Sequence, residues 1–409
     1  MSEPLPARAW LTVGLLWVTA CLNYLDRVML TTMRGSLIEA IPMSDAQFGL
    51  LTSSFLWTYA LLSPFTGYLA DRFDRSRVIF ASLLIWSFLT WLTGQARTFP
   101  ELLTVRALMG LSEAAYIPAA MALIADYHRG ATRSTANSVH LTGILAGTGL
   151  GGLGGWLAER HGWSFAFGFF GLFGMLYAAL LWFALRAAPR SDVPGQTAPL
   201  ELIKTWRDLF STRSFAVMSV YWGIWAFGGF AVIQWLPTYL KEAYGLTQTR
   251  AGIYGSSFMP IASMTGLIIG GAWADRWTRT RPRARVYVAM LGNSLAAPGL
   301  LAIALTSSLE VTIGALLFFG LTRAWADANT MPILCMFTDP RHRATGYGFI
   351  NSLACLFGGI ASYTGGVLRD AHVDLRVLYE IGALFFAICA GLLVFIRAKE
   401  EETTQPSPP

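Results

Sequence analysis

Along the chain, long apolar stretches alternate with short polar breaks. Twelve stretches, at residues 10–33, 46–70, 78–96, 101–126, 134–158, 163–186, 215–240, 250–274, 284–306, 310–337, 343–369 and 375–397, are long enough to cross a bilayer as α-helices, which takes ~20 residues each. Transmembrane β-strands are excluded, because the runs are too long and do not alternate with a period of two. The pattern therefore predicts an all-α membrane protein with twelve transmembrane helices. The first run continues through Asn23-Tyr24-Leu25-Asp26-Arg27 without a small-residue cleavage site, so it reads as a retained helix rather than a signal peptide.

Composition sharpens this reading. Hydrophobic residues make up 54% of the chain and charged residues 13%, whereas soluble domains carry about 25% charged residues. Mean hydropathy is +0.49. With both termini placed in the cytoplasm, 20 Lys and Arg fall on the cytoplasmic side, 7 on the opposite side, and three (Arg27, Arg106, Arg323) inside the membrane. That asymmetry sets the orientation by the positive-inside rule, and a bacterial inner membrane is the expected location. It also explains the net charge of +6 without invoking nucleic acid. Cys21, Cys335, Cys355 and Cys389 have no metal-type spacing and read as packing residues.

The chain repeats itself. Gly67…Asp71-Arg72…Arg75…Arg77 matches Gly271…Asp275-Arg276…Arg279…Arg281 at an offset of 204. Glu113…Pro118…Arg129…Asn137-Ser138 matches Asp327…Pro332…Arg343…Asn351-Ser352 at an offset of 214. Two duplicated six-helix bundles follow, over 1–186 and 215–397. Residues 187–214 form a linker with a short amphipathic helix over Leu202–Phe210, and 398–409 form a disordered tail. Parallel duplicated halves place a binding site between them near mid-membrane. No Gly-x-x-x-x-Gly-Lys-Ser/Thr motif is present, which disfavours transport driven directly by ATP on this chain.

The doubled Gly-x-x-x-Asp-Arg-x-x-Arg loop, with twelve helices and a central linker, resembles the major facilitator superfamily. That resemblance implies two pseudo-symmetric bundles rocking about a central site, and a monomer. It also implies a cytoplasmic gate role for Asp71, Arg72, Arg75, Asp275, Arg276 and Arg279. The plainer reading of these residues is solvated turns. Asn23-Tyr24-x-Asp26-Arg27 with Arg106…Glu113 is similar to the anion:cation symporters of organic acids, and also to the spinster branch, which moves lipid-like anions. The resemblance implies proton carriage by Asp26 and Glu113 and anion binding by Arg27 and Arg106, with Tyr59 in contact with substrate.

The residues support the same chemistry independently. Six formal charges lie inside apolar runs: Asp26, Arg27, Arg106, Glu113, Arg323 and Asp327. A charge at membrane depth costs at least ~2.5 kcal/mol, so such residues face a protein interior or a wet cavity. Arg106 and Glu113 share a helix face, about two turns apart. Desolvation favours the protonated form of a carboxylate and a nearby arginine opposes it, so an anion that occupies the arginine promotes protonation. Anion and proton then bind cooperatively. The alternative is an ion-pair network that only locks helices together. Arg323 and Asp327, four residues apart, are either a self-paired couple or substrate contacts. With Gln234 and Asn351 they make the second half polar, which favours a small anion over a lipid.

His140 reads as a structural, hydrogen-bonded histidine. Glycines at four-residue spacing (Gly143, Gly147, Gly151, Gly155) read as packing and sliding surfaces. Pro64, Pro118, Pro260 and Pro332 are expected to kink their helices. Trp57, Trp222, Trp225, Trp235 and Trp325 are candidates to line the cavity. No enzyme constellation, metal site or cofactor is expected; the coupling ion is a proton. The reading is a secondary transporter symporting a small organic anion, such as a sugar acid. A spinster-type lipid-anion carrier or a non-transporting membrane sensor are the alternatives.

Overall fold

A computed structural model of the chain describes residues 7–128, 132–185, 202–338 and 342–397. Most of the expected linker, the expected tail and Arg129 lie outside the described residues, as do the side chains of Pro64, Asp71 and Arg72. The helices in order are α1 (Ala7–Thr32), α2 (Arg34–Ala40), α3 (Asp45–Arg72), α4 (Arg75–Thr93), α5 (Phe99–Glu113), α6 (Tyr116–Tyr127), α7 (Arg133–Leu150) and α8 (Gly152–His161). They continue with α9 (Trp163–Ala184), α10 (Leu202–Ser211), α11 (Arg213–Tyr244), α12 (Gln248–Thr278), α13 (Ala284–Leu305), α14 (Leu309–Cys335), α15 (Arg343–Asp370) and α16 (Arg376–Leu392).

The twelve apolar runs map onto these helices, with α5–α6 and α7–α8 each forming one broken span. Ten spans are long and apolar enough to cross a membrane by length and composition. The other two, α3 and α15, pack along each other through small and polar residues: Ser53 Oγ donates to the Gly359 carbonyl at 2.5 Å. One face of each is thus turned to the other helix, while Leu61 and Phe65 of α3 and Leu356, Ile360 and Val367 of α15 remain exposed. The helix expected over Leu202–Phe210 is α10, which packs Phe210 against Phe215 and Phe349.

The break between α5 and α6 has a local cause. Pro118 has no N–H for the carbonyl of Ala114, four residues earlier, so the ladder stops at Glu113 and restarts at Tyr116. Pro260 and Pro332 lie inside uninterrupted helices, because neighbouring turns absorb the missing bond.

Helices α1 and α3–α9 pack among themselves, as do α11–α16. The two largest seams between the sets are α3 against α15, and α7–α8 against α12; α1 also touches α11 and α12. Close approach relies on glycine. A Cβ at Gly147 would stand 2.1 Å from the Cys21 carbonyl oxygen, and one at Gly366 would stand 2.2 Å from that of Asp45. Gly147 lets α7 touch α1 within its half, whereas Gly366 lets α15 touch α3 across the seam.

Candidate functional site

The two halves of the charged site come from α1 and α5. Glu113 ends α5 at the proline-induced break and is fully buried. Arg27 Nε donates to Glu113 Oε2 at 2.8 Å, and Asn23 Nδ2 donates to the same oxygen at 2.9 Å. Glu113 Oε1 is left buried without a partner, as is Arg27 Nη2. The Arg27 guanidinium also lies 4.7 Å from the ring centre of Tyr24 and 4.9 Å from those of Phe55 and Tyr59. This aromatic cage favours a cation through the ring quadrupoles and fixes where its free N–H groups point.

Asp26, one residue before Arg27, points the other way. It is buried, and Thr90 Oγ1 on α4 donates to its Oδ2 at 2.9 Å. Arg106 is 1% exposed. Its guanidinium lies 5.0 Å from the Phe55 ring centre and its Nη1 is 3.7 Å from Met109 Sδ. Among the described residues no carboxylate forms an ion pair with it, although Asp26 and Glu113 are both within electrostatic reach. Four buried charges with zero net sum are thus gathered around one paired contact.

The second half adds Arg323, whose guanidinium lies 4.2 Å from the Trp225 ring centre. Trp225 in turn stacks on Trp222, with centroids 4.4 Å apart. No ion pair joins Arg323 to Asp327 among the described residues: the aromatic face takes the cation, and Asp327 is left exposed to the cavity. Tyr24 and Tyr347 lie within electrostatic reach of Asp327, which brings α1, α14 and α15 to one space. Tyr59 is buried and stacked on Phe55. Gln234 and Asn351 are partly buried, on α11 and α15.

A family model described as the Major Facilitator Superfamily matches residues 16–362 and 283–409. The chain belongs to the Major Facilitator Superfamily. This superfamily member is 27% identical over 404 residues to an MFS-type efflux pump of Mycolicibacterium smegmatis, covering 97% of this chain and 91% of the pump. It is 28% identical over 437 residues to protein spinster homolog 1 of Homo sapiens (96% and 82% covered). To a probable galactarate/D-glucarate transporter of Escherichia coli it is 29% identical over 306 residues (67% of each). The fold matches a solved bacterial homolog of the human lysosomal transporter spinster with a TM-score of 0.77 at 24% identity, covering 96% of both chains. The protein is an integral, multi-pass membrane transporter.

The superfamily loop residues fall at the face that carries the chain termini. Arg75 pairs with Asp126 and donates to the Ala122 carbonyl at 3.3 Å; Arg285 pairs with Asp275 at 3.0 Å. Both pairs stay within one half, and Arg276 and Arg279 are exposed. Of the tryptophans, Trp222 and Trp225 flank Arg323. Trp325 instead packs edge-on against Trp273, and Trp235 is buried against Phe48, so neither lines the cavity. Trp57 Nε1 donates to the Leu356 carbonyl at 3.1 Å and bridges the α3–α15 seam. His140 is buried with Nε2 3.0 Å from the Tyr116 hydroxyl, as expected of a structural histidine.

Sequence reasoning missed a charged ring at the opposite face. Arg34 pairs with Asp45 and, at 3.6 Å, with Glu242; Arg369 reaches Asp45 at 3.0 Å and Glu242 at 2.8 Å. In sequence these are separate helix-end charges, and nothing in their spacing brings them together. Among the described residues, every hydrogen bond or ion pair between the halves joins residues 34–57 or 149–159 to residues 242–257 or 356–370. All of these lie between mid-membrane and the α2 face. Toward the termini face Tyr347 is 41% exposed. Among the described residues, the polar bonds that join the halves are therefore gathered on the α2 side.

Proposed function

We propose that this transporter couples protons to the movement of a small organic anion, with Arg27 and Arg106 as the anion-binding cations and Glu113 and Asp26 as the proton sites. The observation that carries this reading is the asymmetric contact at Glu113: Oε2 takes both donors, while Oε1 and Arg27 Nη2 stand bare. An entering carboxylate finds N–H groups already aimed by the aromatic cage. Taking Arg27 away from Glu113 leaves a buried carboxylate without its cation, a state relieved by accepting a proton. The two binding events help each other, which is the thermodynamic content of symport. Residues 1–186 and 215–397 act as the two rocking bundles, and the positive-inside count places the termini face in the cytoplasm. Asp71, Arg72, Arg75, Asp275, Arg276 and Arg279 clasp that face when it closes. Arg323, Asp327, Tyr59, Gln234 and Asn351 complete the substrate contacts, in a monomer without a cofactor.

A second reading, a lipid-like anion, is supported by the near full-length similarity to spinster homolog 1 and by the Trp222–Trp225 slab beside Arg323. Uptake into proteoliposomes under an imposed pH gradient, with labelled galactarate in one arm and a labelled lysophospholipid in the other, tests both. Galactarate accumulation that collapses with the gradient supports the first reading. Lysophospholipid movement alone replaces it with the second, and movement of either without any response to the gradient removes the proton role.

A further inference from the structure

Two carboxylates across the seams stand out because they sit where their own helices disfavour them. Asp370 is the last residue of α15, and Glu159 lies in the last turn of α8. The C-terminal end of a helix carries partial negative charge, so an acid there is locally unfavourable. Each is instead bonded to the first turn of a helix in the opposite half. Asp370 Oδ1 accepts the Asp45 N–H at 2.8 Å and Oδ2 accepts the Ala46 N–H at 3.0 Å, both at the start of α3. Glu159 Oε2 accepts the Thr249 N–H at 3.0 Å and also the Thr249 hydroxyl, at the start of α12.

These amides have no partner within their own helix, since the first four N–H groups of any α-helix are left over. The ordinary local caps are present too: Ser44 Oγ accepts the Gln47 N–H at 3.2 Å, and Thr247 Oγ1 accepts the Arg250 N–H at 3.3 Å. The cross-half carboxylates take amides those local caps leave over. The arrangement also occurs twice. Helices α3 and α12 precede the two matching loops of the internal duplication, and α7–α8 and α15 carry the matching Asn137-Ser138 and Asn351-Ser352. Each half thus lends a carboxylate from the far end of its fifth span to the start of the other half's second span. Gly366 makes the approach on one side possible, and Gly155, whose added Cβ would meet the Gln248 carbonyl at 3.3 Å, does so on the other.

We infer that Asp370 and Glu159 form a reciprocal pair of helix caps that holds the α2 face shut, one on each side of the pseudo-twofold axis. Because each cap exists only while the halves touch on that face, its bonds are lost to water when the transporter opens there. They favour the state open to the termini face and set how readily the molecule leaves it. The ring of Arg34, Asp45, Glu242 and Arg369 lies beside the Asp370 cap, so it reinforces one seam; the Glu159 seam adds Gln248, whose Nε2 donates to Ser36 Oγ at 2.8 Å, and Ser256 and Ser257, whose hydroxyls donate to the Gly149 carbonyl at 3.2 and 2.9 Å. The inference rests on superfamily membership and the seam geometry, and is independent of the proton-coupling reading.

Asp370→Asn and Glu159→Gln keep side-chain size and remove the charge. Spin labels on Glu39→Cys and Ala243→Cys, one in each half at the α2 face, report its opening by pulsed distance measurement; a second pair on Arg77→Cys and Arg281→Cys reports the termini face. Each single variant is expected to raise the open-to-closed ratio at the α2 face by about two- to fivefold, and the double variant by about the product, with the termini-face distance shortening in step. Asp370→Glu, which keeps the charge, is expected to recover part of the closed population. A merely local capping role would speed amide exchange at Ala46 and Thr249 while leaving both distance distributions as in the wild type; that result overturns the inference. If the double variant cannot be purified, either single variant decides the matter by the same distances.

Discussion

Arg27 and Glu113 lie 86 positions apart in sequence and meet through one short contact, Nε to Oε2 at 2.8 Å, that leaves an unpartnered atom on each side. Their pairing is incomplete by construction. Arginine–carboxylate pairs frequently use the guanidinium fork bidentately. Here the second guanidinium nitrogen is withheld by the ring cage, and Asn23 doubles up on the oxygen already taken.

Glu113→Gln is therefore expected to abolish accumulation driven by a pH gradient while preserving substrate exchange at equal concentrations on both sides. Counterflow and gradient-driven uptake in the same proteoliposomes measure the two separately. Undiminished gradient-driven accumulation by the variant would remove Glu113 from the proton path.

Arg27→Lys keeps the charge but loses the planar fork and its contact with three rings. Apparent affinity for the anion is expected to fall by ~30-fold or more, in line with the ~2 kcal/mol lower bound for truncating a buried charged contact. Arg323→Lys is expected to cost less, because Arg323 meets one ring and no carboxylate. Competition binding on purified protein gives both numbers.

Gly147→Ala puts a methyl against the Cys21 carbonyl, where the space is 2.1 Å. A cost of about 1–3 kcal/mol is expected from overpacking. At Gly14, an added Cβ meets nothing within 4 Å, so Gly14→Ala is expected to be neutral or stabilising by up to ~1 kcal/mol. Thermal unfolding in detergent distinguishes the two sites.

The Asp370 carboxyl titrates in a direction that can be checked. Desolvation works to raise its pKa, but the N–H donors of Ala46 and Asp45 and the Ser44 hydroxyl outweigh it and hold the group below the usual aspartate range. A group whose pKa is depressed in the bonded state contributes its stabilisation above its ordinary pKa and loses it only as pH falls through the depressed value. The α2-face distance is thus expected to be flat between about pH 5.5 and 8 and to lengthen only in stronger acid.

The sequence by itself determined the membrane class, the twelve spans, the duplication and the identity of the six charges inside apolar runs. Each follows from local quantities: run length, residue type and repeat offset. Pro118 even located the break that ends α5 at Glu113, since a missing N–H acts on its own helix. What only the tertiary structure decided is which charges meet. Arg323 and Asp327 sit one helical turn apart and could have paired, yet an aromatic face on α11 takes the arginine. Arg34, Asp45, Glu242 and Arg369 belong to separate helix ends with no shared spacing, and they form a ring because the seam brings those ends together. Periodicity tells which face of a helix is apolar; the partner across that face is fixed by the packing of whole helices, to which residues tens to hundreds of positions away contribute.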